Sequence, residues 1–217
     1  MAETGTRFIV VEGPIGVGKT SLARRLAASF GSDLLLEGPE ENPFLPRFYQ
    51  DPKAHAMPTQ LAFLLQRVRQ LEALQQGDLF RPVQVADYLL EKDRLFAELT
   101  LDASELELYD RIAERLVERL PVPDLVIYLQ APVSVLLERI RGRGREYEQA
   151  MSPDYLEALS EAYTRFFHGY DAAPLLIVNA GGADFVHNEE EYRLLLEQVE
   201  APRRGRNFFN PPPMGLL

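Results

Sequence analysis

Gly13-Pro14-Ile15-Gly16-Val17-Gly18-Lys19-Thr20 fits the pattern G-x-x-x-x-G-K-[ST] at every fixed position. Glycines let successive main-chain N–H groups turn towards phosphate oxygens, and a helix opening at the same point adds partial positive charge. In this pattern Lys19 reaches the β- and γ-phosphates and Thr20 offers its hydroxyl to Mg2+. The apolar run Phe8–Val11 precedes the loop and a helix-forming segment, Thr20–Phe30, follows it, which is the context the motif needs. Residues 13–20 therefore read as a nucleoside triphosphate site, with ATP or another nucleoside triphosphate as the expected donor and Mg2+ as the expected metal.

Other residues could complete such a site. Asp87 closes the strand-like Val83-Gln84-Val85-Ala86-Asp87. A carboxylate there can hold Mg2+ directly or through water, or simply cap the next segment. Glu37 closes a second strand-like run, where open α/β sheets place functional groups. Its neighbours Glu40 and Glu41 are drawn into a turn by Asn42-Pro43. Gln60 and Arg67 lie two helical turns apart, with Leu64 between them on the same face. An amide, an apolar shelf and a guanidinium in one stripe suit the edge and face of a nucleobase. Phe63 reads equally as a stacking ring or as core. Arg139 and Arg143 share a helix face at i,i+4, and Arg145 follows a glycine that allows a turn. Guanidinium forks match phosphate oxygens better than ammonium groups do; Arg141 points to another face.

These residues need elements to hold them. Apolar runs at Phe8–Val11, Leu34–Glu37, Val83–Asp87, Leu125–Gln130 and Leu175–Asn179 predict strands. Helices are predicted over Thr20–Phe30, Pro58–Gln76, Leu90–Leu99, Ser104–Leu120, Val133–Arg143, Pro153–Tyr170 and Glu189–Val199. The alternation implies an α/β fold: a five-stranded parallel sheet of the P-loop NTPase type, flanked by helices, with an Arg-rich lid. Residues 1–201 read as one domain. The segment from Pro202 to Leu217, with its four prolines, reads as an irregular or disordered tail.

Composition bounds the rest. The 217 residues are 46% hydrophobic, enough for one packed core. No apolar run reaches the roughly 18 residues of a membrane span, and Met1–Arg7 has no signal-peptide core. Cysteine is absent, which removes disulfides and thiolate metal sites and suits a cytoplasmic location. A net charge of −10 argues against a nucleic acid polymer or an anionic membrane as partner. The stretch 139–145 supplies the local basic cluster that a phosphate ligand needs. Only Lys19, Lys53 and Lys92 are lysines; every other basic residue is arginine.

The chain resembles the deoxynucleoside kinase family, specifically the bacterial deoxyadenosine/deoxyguanosine kinases. The matching stretches are IVVEGPIGVGKTSLARRLA, LLLEGPEENPFL, FYQDPKAHAMPTQLAFLLQR, KDRLFAELTLD, PDLVIYLQAP and RIRGRGREYEQ. The resemblance implies a general-base role for Glu37 on the nucleoside 5′-hydroxyl and base contacts for Gln60 and Arg67. It implies a sugar contact for Tyr49, a base-reading acid at Asp93 and a 3′-hydroxyl acceptor at Glu148. It places Arg139, Arg143 and Arg145 in a lid closing over the phosphates, and Thr20 and Asp87 on Mg2+. It further implies a purine deoxynucleoside acceptor and a homodimer. One departure stands out. The family carries an acid-Arg-Ser triplet after the third strand, and here the stretch is Asp87-Tyr88-Leu89. The arginine that orients the base is missing, and Arg94 is the candidate replacement. The expected activity is a deoxynucleoside 5′-kinase. A nucleoside monophosphate kinase of the thymidylate-kinase type and a P-loop regulatory NTPase acting through the Pro-rich tail remain as alternatives.

Overall fold

The computed structural model describes residues 7–75, 83–118, 120–145, 148, 151–201 and 204–211. Its strands are β1 (Arg7–Glu12), β2 (Asp33–Leu35), β3 (Val83–Ala86), β4 (Leu125–Gln130), β5 (Leu175–Asn179) and β6 (Arg206–Phe209). Its helices are α1 (Lys19–Phe30), α2 (Leu45–Gln50), α3 (Pro52–Gln75), α4 (Lys92–Thr100), α5 (Ala103–Val117), α6 (Val133–Arg143), α7 (Pro153–Gly169) and α8 (Glu189–Glu200), with a 3-10 turn at Pro39–Glu41. The strands form one sheet, β2-β3-β1-β4-β5-β6, and every pairing is parallel.

β1 is central, bonded to β3 on one side and β4 on the other. Phe8–Val11 and Leu125–Leu129 are buried throughout, so they read as continuous apolar runs rather than alternating ones. The order of the strands reverses at β1, and the carboxyl ends of β1, β2 and β3 open on one crevice. α1 packs on β1 and β3 through Leu22, Ala23, Leu26 and Ala27. α3, α4 and α5 pack on one another around Leu64, Val68, Ala97 and Tyr109.

The expected α/β architecture is present, with one strand more than the five predicted. The tail expected to be irregular contains β6, which pairs Arg206–Phe209 with Leu175–Val178 of β5. Flanking prolines hid a four-residue edge strand that shows no apolar periodicity. Residues 202–203 and 212–217 of that tail lie outside the described residues, as do Met1–Thr6, Gln76 and position 119.

β2 is shorter than expected and stops at Leu35, because β3, its only partner among the described residues, ends at Ala86 opposite it. Leu36 and Glu37 leave the ladder, and Gly38 bends the chain at φ 59°. α3 begins at Pro52 rather than Pro58. Asp51 accepts from the Ala54 amide at 3.3 Å, and Pro52 takes the first turn, where no donor is needed. Among the described residues no helix is long and apolar enough to cross a membrane.

Candidate active site

The phosphate loop leaves β1 and lies against α6. Gly16 has φ +85°, and a Cβ there would come within 2.8 Å of the Leu136 carbonyl oxygen and the Ile140 side chain, so only glycine fits. Lys19 Nζ donates to the Gly13 and Pro14 carbonyls at 2.7 and 3.3 Å, holding the ammonium inside the loop it would share with phosphates. Thr20 Oγ1 donates to Asp87 Oδ2 at 2.5 Å. The other carboxylate oxygen, Asp87 Oδ1, accepts from the Glu37 amide at 2.8 Å. Asp87 thus joins the phosphate loop, the end of β3 and the segment after β2.

Glu37 stands two residues beyond β2, in a segment suspended from α3. Gln70 Nε2 donates to the Leu36 carbonyl at 2.9 Å and Gln66 Nε2 to the Glu37 carbonyl at 2.6 Å, replacing the lost ladder bonds. Three cations surround its carboxylate. Lys92 Nζ lies 2.9 Å from Oε1, and Arg67 Nη2 pairs with the same oxygen. Burial pushes the Glu37 carboxyl up, but Lys92, Arg67 and then Lys19 outweigh it and hold the group well below the usual carboxylate range. The carboxylate is therefore ionised in the resting protein.

Glu37, Lys19, Thr20 and Asp87 line a cleft of about 1050 Å³, counting its open mouth. Tyr49, Gln60, Phe63 and Arg67 line it too, so the acceptor-side stripe faces the phosphate loop. Gln60 is buried and donates through Nε2 to Thr100 Oγ1 at 3.1 Å. The Arg67 guanidinium sits 4.7 Å from the Phe63 ring centroid, and its other fork pairs with Asp93 Oδ1. Phe63 is thus a ring of the cleft wall. Asp93 is buried behind Arg67 and does not itself line the cleft.

The expected lid arginines divide. Arg143 and Arg145 line the cleft together with Glu148. Arg143 grips Glu148 bidentately, with Nη2 at 2.6 and 2.5 Å from the two oxygens, and Arg145 Nη1 approaches Glu148 at 3.6 Å. Arg139 departs from the expectation. It donates to the carbonyls of Val17 at 3.2 Å and Ala180 at 2.9 Å, bracing the underside of the phosphate loop. Arg94, the candidate for the missing cation, is also corrected: it is half-exposed and paired with Glu98 and Asp110 on the surface. The cation that joins Arg67 on Glu37 is Lys92, not Arg94.

Reading the sequence alone misses Lys92, and with it Glu12, which is fully buried. Glu12 Oε1 accepts from the Gly13 amide at 2.8 Å and from Tyr163 Oη at 3.0 Å; Oε2 accepts from the Leu89 amide at 2.7 Å. A faint signal existed: Lys92 is one of three lysines in an otherwise arginine-only set.

A phosphate loop, a hydroxyl–carboxylate pair beside it and an ionised carboxylate across the cleft define a phosphotransferase that acts on a hydroxyl acceptor. Comparison with known proteins specifies the class. The family model described as "Deoxynucleoside kinase" matches residues 9–202, and the chain belongs to the deoxynucleoside kinase family. It is 37% identical over 199 residues to the deoxyguanosine kinase of Bacillus subtilis (strain 168), covering 89% of this chain and 96% of that one. It is 31% identical over 213 residues to the deoxyadenosine kinase of Lactobacillus acidophilus, covering 91% and 97%. Among solved structures, the deoxyadenosine kinase from M. mycoides with products dCMP and a flexible dCDP bound superposes with a TM-score of 0.78 at 26% identity, covering 88% of this chain and 98% of that one. Membership of this family selects the nucleoside kinase reading over the monophosphate kinase and regulatory alternatives.

Proposed function

We propose that this deoxynucleoside kinase transfers the γ-phosphoryl group of ATP to the 5′-hydroxyl of a purine deoxynucleoside, with Glu37 as general base. The observation that carries the reading is the Glu37 carboxylate: it is ionised, gripped at Oε1 by Lys92 and Arg67, and faces the cleft opposite the phosphate loop. In the transfer the acceptor oxygen bonds to the γ-phosphorus, the bond to the β,γ-bridging oxygen breaks, and the hydroxyl proton passes to Glu37. Lys19 takes the β- and γ-phosphates. Arg143 and Arg145 exchange Glu148 for phosphate oxygens as charge develops, while Glu148 is released towards the sugar. Gln60 and Arg67 read the base, Asp93 holds the Arg67 guanidinium from behind, and Tyr49 contacts the sugar. The Thr20 hydroxyl and the Asp87 carboxylate are hard oxygen donors 2.5 Å apart and fit a Mg2+ that keeps waters and phosphate oxygens as its other ligands. Magnesium held there would neutralise phosphate charge.

The purine preference rests on the deoxyguanosine and deoxyadenosine kinases that the chain resembles. A homodimer agrees with the exposed Leu65 on α3 and Leu108 on α5, which leave apolar surface on neighbouring helices. A panel of four deoxynucleosides with labelled ATP and Mg2+ tests the activity. Deoxyguanosine and deoxyadenosine should be the best acceptors, and Glu37→Gln should lower kcat by about 10²–10⁴, while Glu40→Gln and Glu41→Gln stay near wild type. ATP hydrolysis that ignores added nucleoside would overturn the proposal.

A further inference from the structure

Lys92 opens α4 and is 2% exposed. Its ammonium lies between two carboxylates, 2.9 Å from Glu37 Oε1 and 3.4 Å from Glu12 Oε2. The two acids differ. Glu12 is immobilised by three donors at the root of the phosphate loop, so it acts as a fixed anchor. Glu37 has Oε1 occupied by Lys92 and Arg67, while Oε2 has no protein partner among the described residues. Cations approaching one oxygen from two directions fix the plane of the carboxylate and leave the second oxygen for the cleft. A buried ion pair is a poor source of stability once desolvation is counted, so this arrangement calls for another explanation. Tyr88, directly after Asp87, contributes no charge, and Arg94 is spent on the surface.

We propose that Lys92 is a positioning residue for phosphoryl transfer: anchored by Glu12, it locks Oε1 of Glu37 and turns Oε2 towards the acceptor hydroxyl. The inference rests on Glu37 acting as the base. A misaligned base loses rate rather than affinity, because the acceptor is still held by the residues that read it. A compact ammonium at a helix start can touch both acids from one side, and a guanidinium of similar reach can still span Glu12 and Glu37.

The test is a kinetic comparison of wild type, Lys92→Met, Lys92→Arg, Glu37→Gln and Glu37→Gln/Lys92→Met. Lys92→Met should lower kcat by about tenfold or more, with nucleoside KM within about threefold, and Lys92→Arg should recover most of the loss. In the Glu37→Gln background, Lys92→Met should cost less than about threefold further, since the group it positions is gone. A purely structural lysine would lower kcat by the same factor in both backgrounds, and that result would overturn the proposal. So would a Lys92→Met enzyme with kcat within about threefold of wild type while Glu37→Gln is inactive. An active Glu37→Gln enzyme removes the base reading itself, a distinct outcome that takes this inference with it. If Lys92→Met does not fold, Glu12→Gln/Lys92→Met removes the stranded carboxylate and carries the same expectation.

Discussion

Thr100 fixes the orientation of Gln60. The Thr100 hydroxyl has one hydrogen, and it is donated to the Phe96 carbonyl at 2.7 Å, so towards Gln60 the oxygen can only accept. The amide of Gln60 must therefore turn its nitrogen to Thr100. Its oxygen and second N–H are left for the cleft that Gln60 lines.

Thr100→Val removes that constraint and strands a buried N–H. The expected result is a nucleoside KM raised about 5- to 30-fold, equivalent to about 1–2 kcal/mol, with little change in kcat. Thr100→Ser should stay close to wild type. Initial-rate kinetics with deoxyguanosine and deoxyadenosine check this, and an unchanged KM for both in Thr100→Val would remove Thr100 from recognition.

The Arg143–Glu148 pair makes a different forecast, because its charges must separate before either can serve a substrate. Arg143→Ala should lower kcat by about 10²-fold, the scale of a group that stabilises developing charge. Nucleoside KM should move much less. Arg145→Ala should act in the same direction. Stopped-flow measurement of the burst will separate the chemical step from product release. An unimpaired chemical step in both variants would take these arginines off the phosphates.

Tyr163 makes stability sensitive to alkaline pH. Its phenol is buried, donates to Glu12, and has its pKa raised well above the usual tyrosine value by burial and then by the charges of Glu12 and Glu37. In the unfolded chain the proton leaves near pH 10, whereas the folded protein keeps it. The stabilisation is thus complete below about pH 10 and declines as pH rises, by about 1.4 kcal/mol per pH unit for each such group. Urea unfolding at pH 9, 10 and 11 should show a loss of stability with pH that is shallower by about one proton in Tyr163→Phe than in wild type. An identical pH dependence in the two proteins would contradict the assignment.

What could be read in advance follows from where the partners sit. The phosphate loop is contiguous in sequence, so its pattern and flanking elements declare it. Glu37 and Asp87 follow parallel strands, and their placement comes with the α/β topology. Lys92 is different. Its partners come from the ends of β1 and β2, and nothing local distinguishes it from Arg94. Two residues along a helix differ by about 200° in direction, so one cation of this pair turns to the cleft and the other to solvent. Only the docking of α4 decides which. Arg139 illustrates the same limit: its i,i+4 spacing to Arg143 predicted a common face, yet it reaches sideways to main-chain carbonyls and not into the cleft. β6 was hidden because its order comes from β5, not from its own side chains.

The chain of contacts Glu12–Lys92–Glu37–Arg67–Asp93 also constrains how this enzyme can diverge. Each member is largely buried and balanced by a neighbour of opposite sign. Changing one alone strands a charge at a penalty of roughly 3–5 kcal/mol, a large part of the 5–15 kcal/mol that holds an ordinary domain together. Charge-changing replacements at these five positions must therefore travel in compensating pairs. A lineage that changes the charge at one of them has to change a partner nearly together, or pass through an ancestor stable enough to tolerate the imbalance.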